Sequence, residues 1–306
     1  MSNSHLAILM CTFNGERYID EQLSSITKQD FKNWHLWISD DNSSDNTLNI
    51  IKSHLGYLSG DITILSGPAR GFSENFKYLI HYSPVSSHYY AFADQDDIWL
   101  SDKLTRAVKW LDEIPENTPA MYCSRTELID EEGKVIGYSP DYSKPPALRN
   151  ALLQNIASGN TMVFNDCALK LLRQATSGSF VIHDWALYLA VTACGGRVYF
   201  DHQPSVRYRQ HRDNLIGNGM SFLRRLNNFF QAWKGRKAEW NDKNCAMLEN
   251  LSVFMTDESK EILRFYSSIR DKNIFVRYLN LRNSGVYHQQ LIGMLTTIAH
   301  TLLNRM

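Results

Sequence analysis

The chain has 306 residues, 43% of them hydrophobic and 21% charged, enough to bury a large core in one or two domains. Its 32 Lys and Arg balance 32 Asp and Glu, which disfavours a globally basic nucleic-acid binder, and no nucleic-acid partner is expected. Five cysteines at wide spacing, none in a C-x-x-C pair, argue against a zinc or dithiol motif and for reduced thiols. Residues 1–10 lack the basic start and cleavage site of a signal peptide, and the most apolar stretch, Leu291 to Leu303, is too short to span a bilayer. The expectation is a cytoplasmic protein.

His5 to Cys11 (HLAILMC) predicts a strand, followed by the turn-rich Thr12-Phe13-Asn14-Gly15. Tyr18 to Ile26 reads as a helix, with Ile19, Leu23 and Ile26 spaced by four and three. His35 to Ser39 predicts a second strand, and Ser44 and Asp45 are N-cap candidates for a helix carrying Leu48, Ile51 and Leu55. Ile62 to Leu65 is a third strand and Phe72 to Ile80 a third helix. Tyr89 to Ala93 is a fourth strand, running straight into Asp94-Gln95-Asp96-Asp97. After Ser101 a capped helix carries Leu104, Val108 and Leu111, and Glu127 to Gly137 reads as a hairpin turning at Glu132-Gly133. Pro140 to Pro146 is a loop. Gly159 to Phe164 and Val198 to Phe200 are predicted strands with helices between them, and from about Met220 longer helical patterns take over.

Four strand–helix alternations in the first hundred residues imply parallel strands with crossover helices, hence an open α/β sheet. In such sheets ligands sit outside the carboxyl ends of the strands. Three polar or acidic clusters fall there: Thr12 to Glu16, Asp40 to Asp45, and Asp94 to Asp97. Three acids within four residues are unfavourable unless a cation offsets them, and hard oxygen ligands suit Mn²⁺ or Mg²⁺. A solvated turn capping the next helix is the plain alternative. In the second cluster Ser44 or Asp45 suffices for capping, which leaves Asp40 and Asp41 without that role and favours a ligand contact for Asp41.

The segments CTFNGERY (Cys11–Tyr18), ISDDNSSDNT (Ile38–Thr47), FADQDDIWLSDKL (Phe92–Leu104), SGNTMVFN (Ser158–Asn165), HDW (His183–Trp185) and YRQHRDN (Tyr208–Asn214) together resemble family 2 glycosyltransferases of the GT-A fold. The DQDDIW and YRQH wording is most similar to the rhamnosyltransferase-like subgroup that builds bacterial surface polysaccharides. The resemblance implies a Rossmann-like open mixed sheet flanked by helices, with a catalytic domain over residues 1–217 and a helical extension over 218–306. It also implies an inverting, metal-dependent transfer of a sugar, with L-rhamnose from dTDP-rhamnose the leading donor and a UDP-sugar the alternative. The acceptor implied is a growing, lipid-linked glycan such as O-antigen or capsule.

By the same resemblance Thr12 and Asp41 hold the base and ribose, with Asn14 and Glu16 in the first donor-binding cluster. Asp94 and Asp96 form the D-x-D element on the metal and diphosphate. Asp184 is the catalytic base, with an N-cap of the helix Trp185 to Ala193 as its plainer reading. Arg209 is expected at the diphosphate and His211 at the diphosphate or metal, in a loop where Arg207 and Arg212 add basic charge.

From Arg207 to Glu239 there are eight Lys and Arg against Asp213 and Glu239, a net charge of +6, with Phe222, Phe229, Phe230 and Trp233 beside them. Such a segment suits adsorption to an anionic membrane, and equally a helix packed with a solvated basic face. Two other functional classes stand beside the transferase. A nucleotidyltransferase usually carries a Gly-rich phosphate loop after its first strand, which CTFNGE lacks. A non-catalytic sugar-nucleotide or glycan-binding module leaves the placing of Asp96 and Asp184 unexplained.

Overall fold

The structure, a computed structural model, describes residues 4–55, 61–82, 84–211, 236–270 and 273–304. The first four strands are β1 (Leu6–Thr12), β2 (Trp34–Asp40), β3 (Asp61–Ser66) and β4 (Tyr89–Ala93), with α1 (Ile19–Thr27), α2 (Thr47–His54) and α3 (Phe72–His81) between them. All four run parallel, in the order β3-β2-β1-β4. The strand readings hold to within two residues at each end.

Alternation along β1 explains the layering. Ala7, Leu9 and Cys11 join one apolar cluster and Leu6, Ile8 and Met10 the other, so every β1 residue is buried. A strand covered on both faces tolerates no polar side chain until it ends, which is why Thr12 marks its boundary. One cluster takes Ile19, Leu23 and Ile26 of α1 and Leu104, Val108 and Leu111 of α4 (Lys103–Leu111); the other takes Phe76, Leu79 and Ile80 of α3.

Beyond β4 the sheet turns mixed. The two-residue β5 (Ile98–Trp99) and the long β6 (Ala120–Ile129) and β7 (Val135–Tyr138) follow, the last two joined by the expected hairpin, with Gly133 at φ 83°. Helices α5 (Leu148–Ala151), α6 (Asp166–Ala175) and α7 (His183–Ala193) pack on the β1-odd face. Two readings are corrected. Gly159 to Phe164 is not one strand: Gly159–Thr161 form a 3₁₀ turn, and β8 is only Val163–Asn165, antiparallel to β4 and β6. Val198 to Phe200 is the start of a 13-residue strand, β9 (Arg197–Arg209), which pairs with β6 along both halves of a register shift between Ser124 and Thr126.

Four helices end the described chain: α8 (Arg236–Asn250), α9 (Asp257–Ser267), α10 (Ile274–Ser284) and α11 (Leu291–Leu302). Met247, Leu248, Leu251, Ile262 and Tyr266 belong to the same apolar cluster as α6 and α7, so α8 and α9 form an added layer on that core. Most of the +6 basic–aromatic segment, residues 212–235, lies outside the described residues. Among the described residues no helix is long and apolar enough to cross a membrane.

Candidate active site

The ends of β1, β2 and β4 stand side by side, bringing the three clusters together. The first two are stitched to each other. Thr12 donates its hydroxyl to Asp40 at 2.8 Å, and Asp40 also accepts the amide and hydroxyl of Ser43 at 2.9 and 2.6 Å. Asn14, in the left-handed region at φ 47°, donates its amide to the Ser43 hydroxyl and accepts the Ser44 amide on its side chain at 2.8 Å. Glu16 and the start of α2 are tied reciprocally: the Glu16 amide donates to Asp45, and the Glu16 carboxylate accepts the Asn46 amide at 2.8 Å. Asp45 also accepts the Thr47 amide at 3.0 Å, but the N-cap of α2 is Asn46, one residue after the expected candidates.

Asp41 has a structural role invisible in the sequence. Its two oxygens accept the amides of Ala69 and Gly71, each at 2.7 Å, which fixes the loop between β3 and α3. Gly71 adopts φ 90°, a conformation that favours glycine.

The third cluster is held differently. The Asp94 carbonyl accepts the Gln22 side-chain amide at 2.9 Å and the Asp96 carbonyl accepts Arg209 Nε at 3.0 Å, so the turn is gripped by its backbone. Gln95 closes it against β1, exchanging two bonds of 2.9 and 3.0 Å with the Phe13 backbone and leaving no space for a side chain at Gly15. The three carboxylates fare differently: that of Asp97 accepts the Asn160 side chain and the Arg209 amide. Among the described residues no hydrogen bond reaches that of Asp94, whereas Asp96 Oδ2 lies 2.7 Å from His211 Nε2. Burial, then the charges of Asp96 and Asp184, push Asp94 up to about 8.

Asp184 occupies the first turn of α7, not its N-cap, which is Ile182. Its carboxylate accepts the Trp185 amide at 2.6 Å and the Gly159 amide at 3.2 Å, and burial raises it to about 6. The N-cap reading of Asp184 is thereby corrected: it lies two residues past the cap and ties the Gly159 turn to the start of α7. Space at Gly159 is tight: a Cβ on it would meet His183 Nε2 at 3.1 Å and Asp184 Cβ at 3.3 Å. The neighbouring Asn160 links this turn to the acidic cluster, donating to Asp97 at 2.5 Å and accepting Lys103 Nζ on its carbonyl at 2.9 Å. Asp97, Lys103 and Asn160 are all buried; burial holds Lys103 down to about 7.

Arg209 is placed differently from expectation. It is 1% exposed, lies over the Tyr18 ring at 4.5 Å, and directs its guanidinium to the carbonyls of Asp96 and Glu131 and to the Glu21 carboxylate. Its aromatic shelf and its ring of acceptors make it a brace for the Asp96 turn. Gln22, Gln95 and Asn160, to which the sequence reading gave no role, do comparable bracing.

Among the described residues no three His, Cys, Asp or Glu side chains converge as a ready metal site. The donors nevertheless fit a divalent cation. Asp94 has a bare, mutually repelled carboxylate, and Asp96 and His211 add an oxygen and a nitrogen at the same turn. Two surface cavities, of about 260 Å³ against α8 and α9 and about 410 Å³ beside α3, are not lined by these carboxylates.

Known proteins give this geometry a context. Residues 7–175 match the profile of glycosyl transferase family 2, more than half of the chain. The chain is 31% identical over 224 residues to the dTDP-rhamnosyl transferase RfbG of Shigella flexneri, covering 70% of this chain and 75% of that one. It is 30% identical over 174 residues to WfgD of Escherichia coli, a UDP-Glc:alpha-D-GlcNAc-diphosphoundecaprenol beta-1,3-glucosyltransferase, covering 55% of this chain and 63% of that one. Among solved structures, TarS of S. aureus in complex with UDP-GlcNAc aligns with a TM-score of 0.54 at 14% identity, over 92% of this chain and 93% of that one. The mannosyltransferase PcManGT of Pyrobaculum calidifontis, in complex with GDP-Man and Mn²⁺, aligns with a TM-score of 0.55 at 16% identity, over all of this chain and 86% of that one. The fold is GT-A, with a helical C-terminal segment, and the chain belongs to glycosyl transferase family 2 as a glycosyltransferase.

Proposed function

We propose that the enzyme transfers L-rhamnose from dTDP-rhamnose, with inversion, to a hydroxyl of a lipid-linked bacterial surface polysaccharide at the cytoplasmic face of the membrane. The observation that carries the chemistry is the placement of Asp184, raised by burial to about 6 at the start of α7, close enough to the Asp94–Asp96 turn that its charge helps push Asp94 up to about 8. Similarity to RfbG supports the donor, and the undecaprenol-linked substrate named for WfgD supports the acceptor class.

In this reading the acceptor hydroxyl attacks the anomeric carbon from the face opposite the diphosphate. The new carbon–oxygen bond forms as the bond to the diphosphate breaks, and the hydroxyl proton passes to the Asp184 carboxylate. A base near pKa 6 is ionised at neutral pH yet basic enough to take a proton. Mn²⁺ or Mg²⁺, held by Asp94, Asp96 and His211, would offset negative charge on the leaving diphosphate. Asp41, Thr12, Asn14 and Glu16 shape the nucleotide end of the cleft, and Arg209 positions the Asp96 turn.

Thermal unfolding with dTDP, UDP, GDP and CMP, each with and without Mn²⁺, tests the donor. A ligand at a hundred times its dissociation constant adds roughly 2.7 kcal/mol. Mn²⁺-dependent stabilisation by dTDP above the others supports rhamnose. A preference for UDP favours the second reading, a UDP-hexose or galactofuranose donor, which the similarity to WfgD keeps in play. Stabilisation by none of them defeats the donor-site assignment.

A further inference from the structure

The last two helices invert the usual sorting of side chains. In α11, Thr297, His300 and Thr301 are buried while Leu295 and Leu303 stand in solvent, and Leu291 and Ile292 are 74% and 76% exposed. In α10, Arg277 and Ser284 are buried while Ile274, Phe275 and Tyr278 are exposed. The buried polar groups have partners on the inner side: the Thr297, Thr301 and Ser284 hydroxyls donate to carbonyls within their own helices. Arg277 Nη2 donates to the Leu302 carbonyl at 2.9 Å. That bond ties the start of α10 to the end of α11, so the pair is one antiparallel hairpin. Its exposed residues recur at 291, 295, 299 and 303, and at 274 and 278, a stripe along each helix. An apolar stripe facing outward, with polar groups beneath it, marks an interaction surface.

Charge selects the occupant. Residues 273–306 contain three arginines and no Asp or Glu, but Arg277 is buried and Arg305 lies outside the described residues, so the exposed positive charge of the hairpin rests on Arg282. Arg282 is exposed, and Lys144 reaches the turn before α11, donating to the His288 carbonyl at 2.7 Å. Arg149, near Gly285, is paired with Glu258 and adds no free charge. Helices of 11 and 12 residues reach only about 18 Å, short of the roughly 30 Å bilayer core. They can lie in the plane of an interface and cannot span one.

We propose that the α10–α11 hairpin docks flat on an anionic lipid surface, seating Leu291, Ile292 and Leu295 at the headgroup–acyl boundary. The proposal rests on the lipid-linked acceptor reading for its purpose, since docking brings the site to a substrate confined to the membrane. Its physical basis is independent of the sugar.

The test uses the full-length protein and co-sedimentation with vesicles of phosphatidylcholine, with and without phosphatidylglycerol. The parent should partition onto the anionic vesicles. The triple variant Leu291→Ser, Ile292→Ser, Leu295→Ser should lose at least about tenfold of that partition, with unchanged thermal unfolding and unchanged transfer to a soluble acceptor fragment. Equal partition of parent and variant, or no partition of the parent, overturns the proposal. So does a parent dimer in light scattering that the variant dissolves, because a second copy then covers the stripe. If docking behaves as expected while no sugar nucleotide supports transfer, the donor reading fails and the lipid surface stands.

Discussion

Two groups of acids stand at the same edge of the sheet and differ in what holds them. Asp40, Asp41 and Asp45 accept backbone amides and hydroxyls from neighbouring loops at 2.5–3.0 Å. Asp94 receives no such donor among the described residues, and it shares its surroundings with Asp96 and Asp184. Satisfied carboxylates fix the loops around them, while the crowded ones are, in the proposed reading, the groups that take up a cation and a proton. Acidity of sequence alone does not separate the two, because both groups read as clusters at strand ends.

The comparison breaks most visibly at Asp184. Asp184→Asn should lower transfer by about 10²–10⁴-fold while donor binding persists, because only the base is lost. Full activity in the variant removes Asp184 from that role. A carboxyl raised by burial favours its protonated form in the folded state, so stability declines as pH rises through about 6. In the parent, kcat/KM should fall tenfold per unit as pH drops below about 6, where the base takes up its proton. A profile flat down to pH 5 contradicts the assignment.

Asp96→Asn addresses the cation side. It should abolish the Mn²⁺-dependent part of nucleotide stabilisation, up to roughly 2.7 kcal/mol at saturating ligand, without unfolding the protein. The Asp96 backbone carbonyl keeps its bond from Arg209 in the variant, so the turn itself should persist. Metal-dependent binding equal to the parent's would place the cation elsewhere.

What the sequence reveals and conceals follows the range of the forces involved. β1 and β4 are readable because strands buried on both faces are apolar throughout, and their ends carry the polar clusters. The 3₁₀ turn at Gly159 is unreadable locally, because it is set by Asp97, Lys103 and Asp184, which lie 25 to 63 residues away in the chain. β9 is hidden for the same reason. Its charged positions are satisfied by partners distant in the chain, Arg207 by Glu127 of β6 and Asp201 by Arg106 of α4, so neither alternation nor apolar content announces 13 residues of strand. Arg209 misleads most: a basic loop suggests phosphate, whereas Tyr18, Glu21 and two carbonyls bury it. The α10–α11 hairpin is concealed in another way: Leu291, Leu295 and Leu303 face outward while Leu281 is buried, a division set by packing against the rest of the fold.

Asp41→Asn sharpens the comparison at intermediate size. One amide of the β3–α3 loop would face a side-chain NH₂ in place of an oxygen, a loss of about 1–3 kcal/mol in urea unfolding. A stability loss of that order with a moderate rise in donor KM marks a wall residue. Unchanged stability with a large rise in KM marks a direct nucleotide contact, and the division between satisfied and crowded acids then fails at this position.

The smallest effect at neutral pH is expected at His183, beside Asp184. Its ring is 2% exposed, stacks on Phe76 at 4.0 Å and meets Phe92 edge-on at 4.6 Å, and among the described residues neither nitrogen has a hydrogen-bond partner. His183→Phe keeps the stacking and removes two unsatisfied nitrogens, so stability at pH 7.5 should change by less than about 1 kcal/mol. Burial holds His183 down to about 3, against 6.5 for a free imidazole, so the unfolded chain takes up the proton first as pH falls. The parent therefore loses stability from about pH 6.5 downward, and at pH 5 the variant should exceed it by a further 2 kcal/mol or so. If stability follows this course and transfer is unchanged, the ring is packing for the α7 turn. If stability follows it but transfer collapses, a nitrogen of His183 acts on Asp184 or the acceptor, and the crowded side of the cleft contains one more working group than the carboxylates.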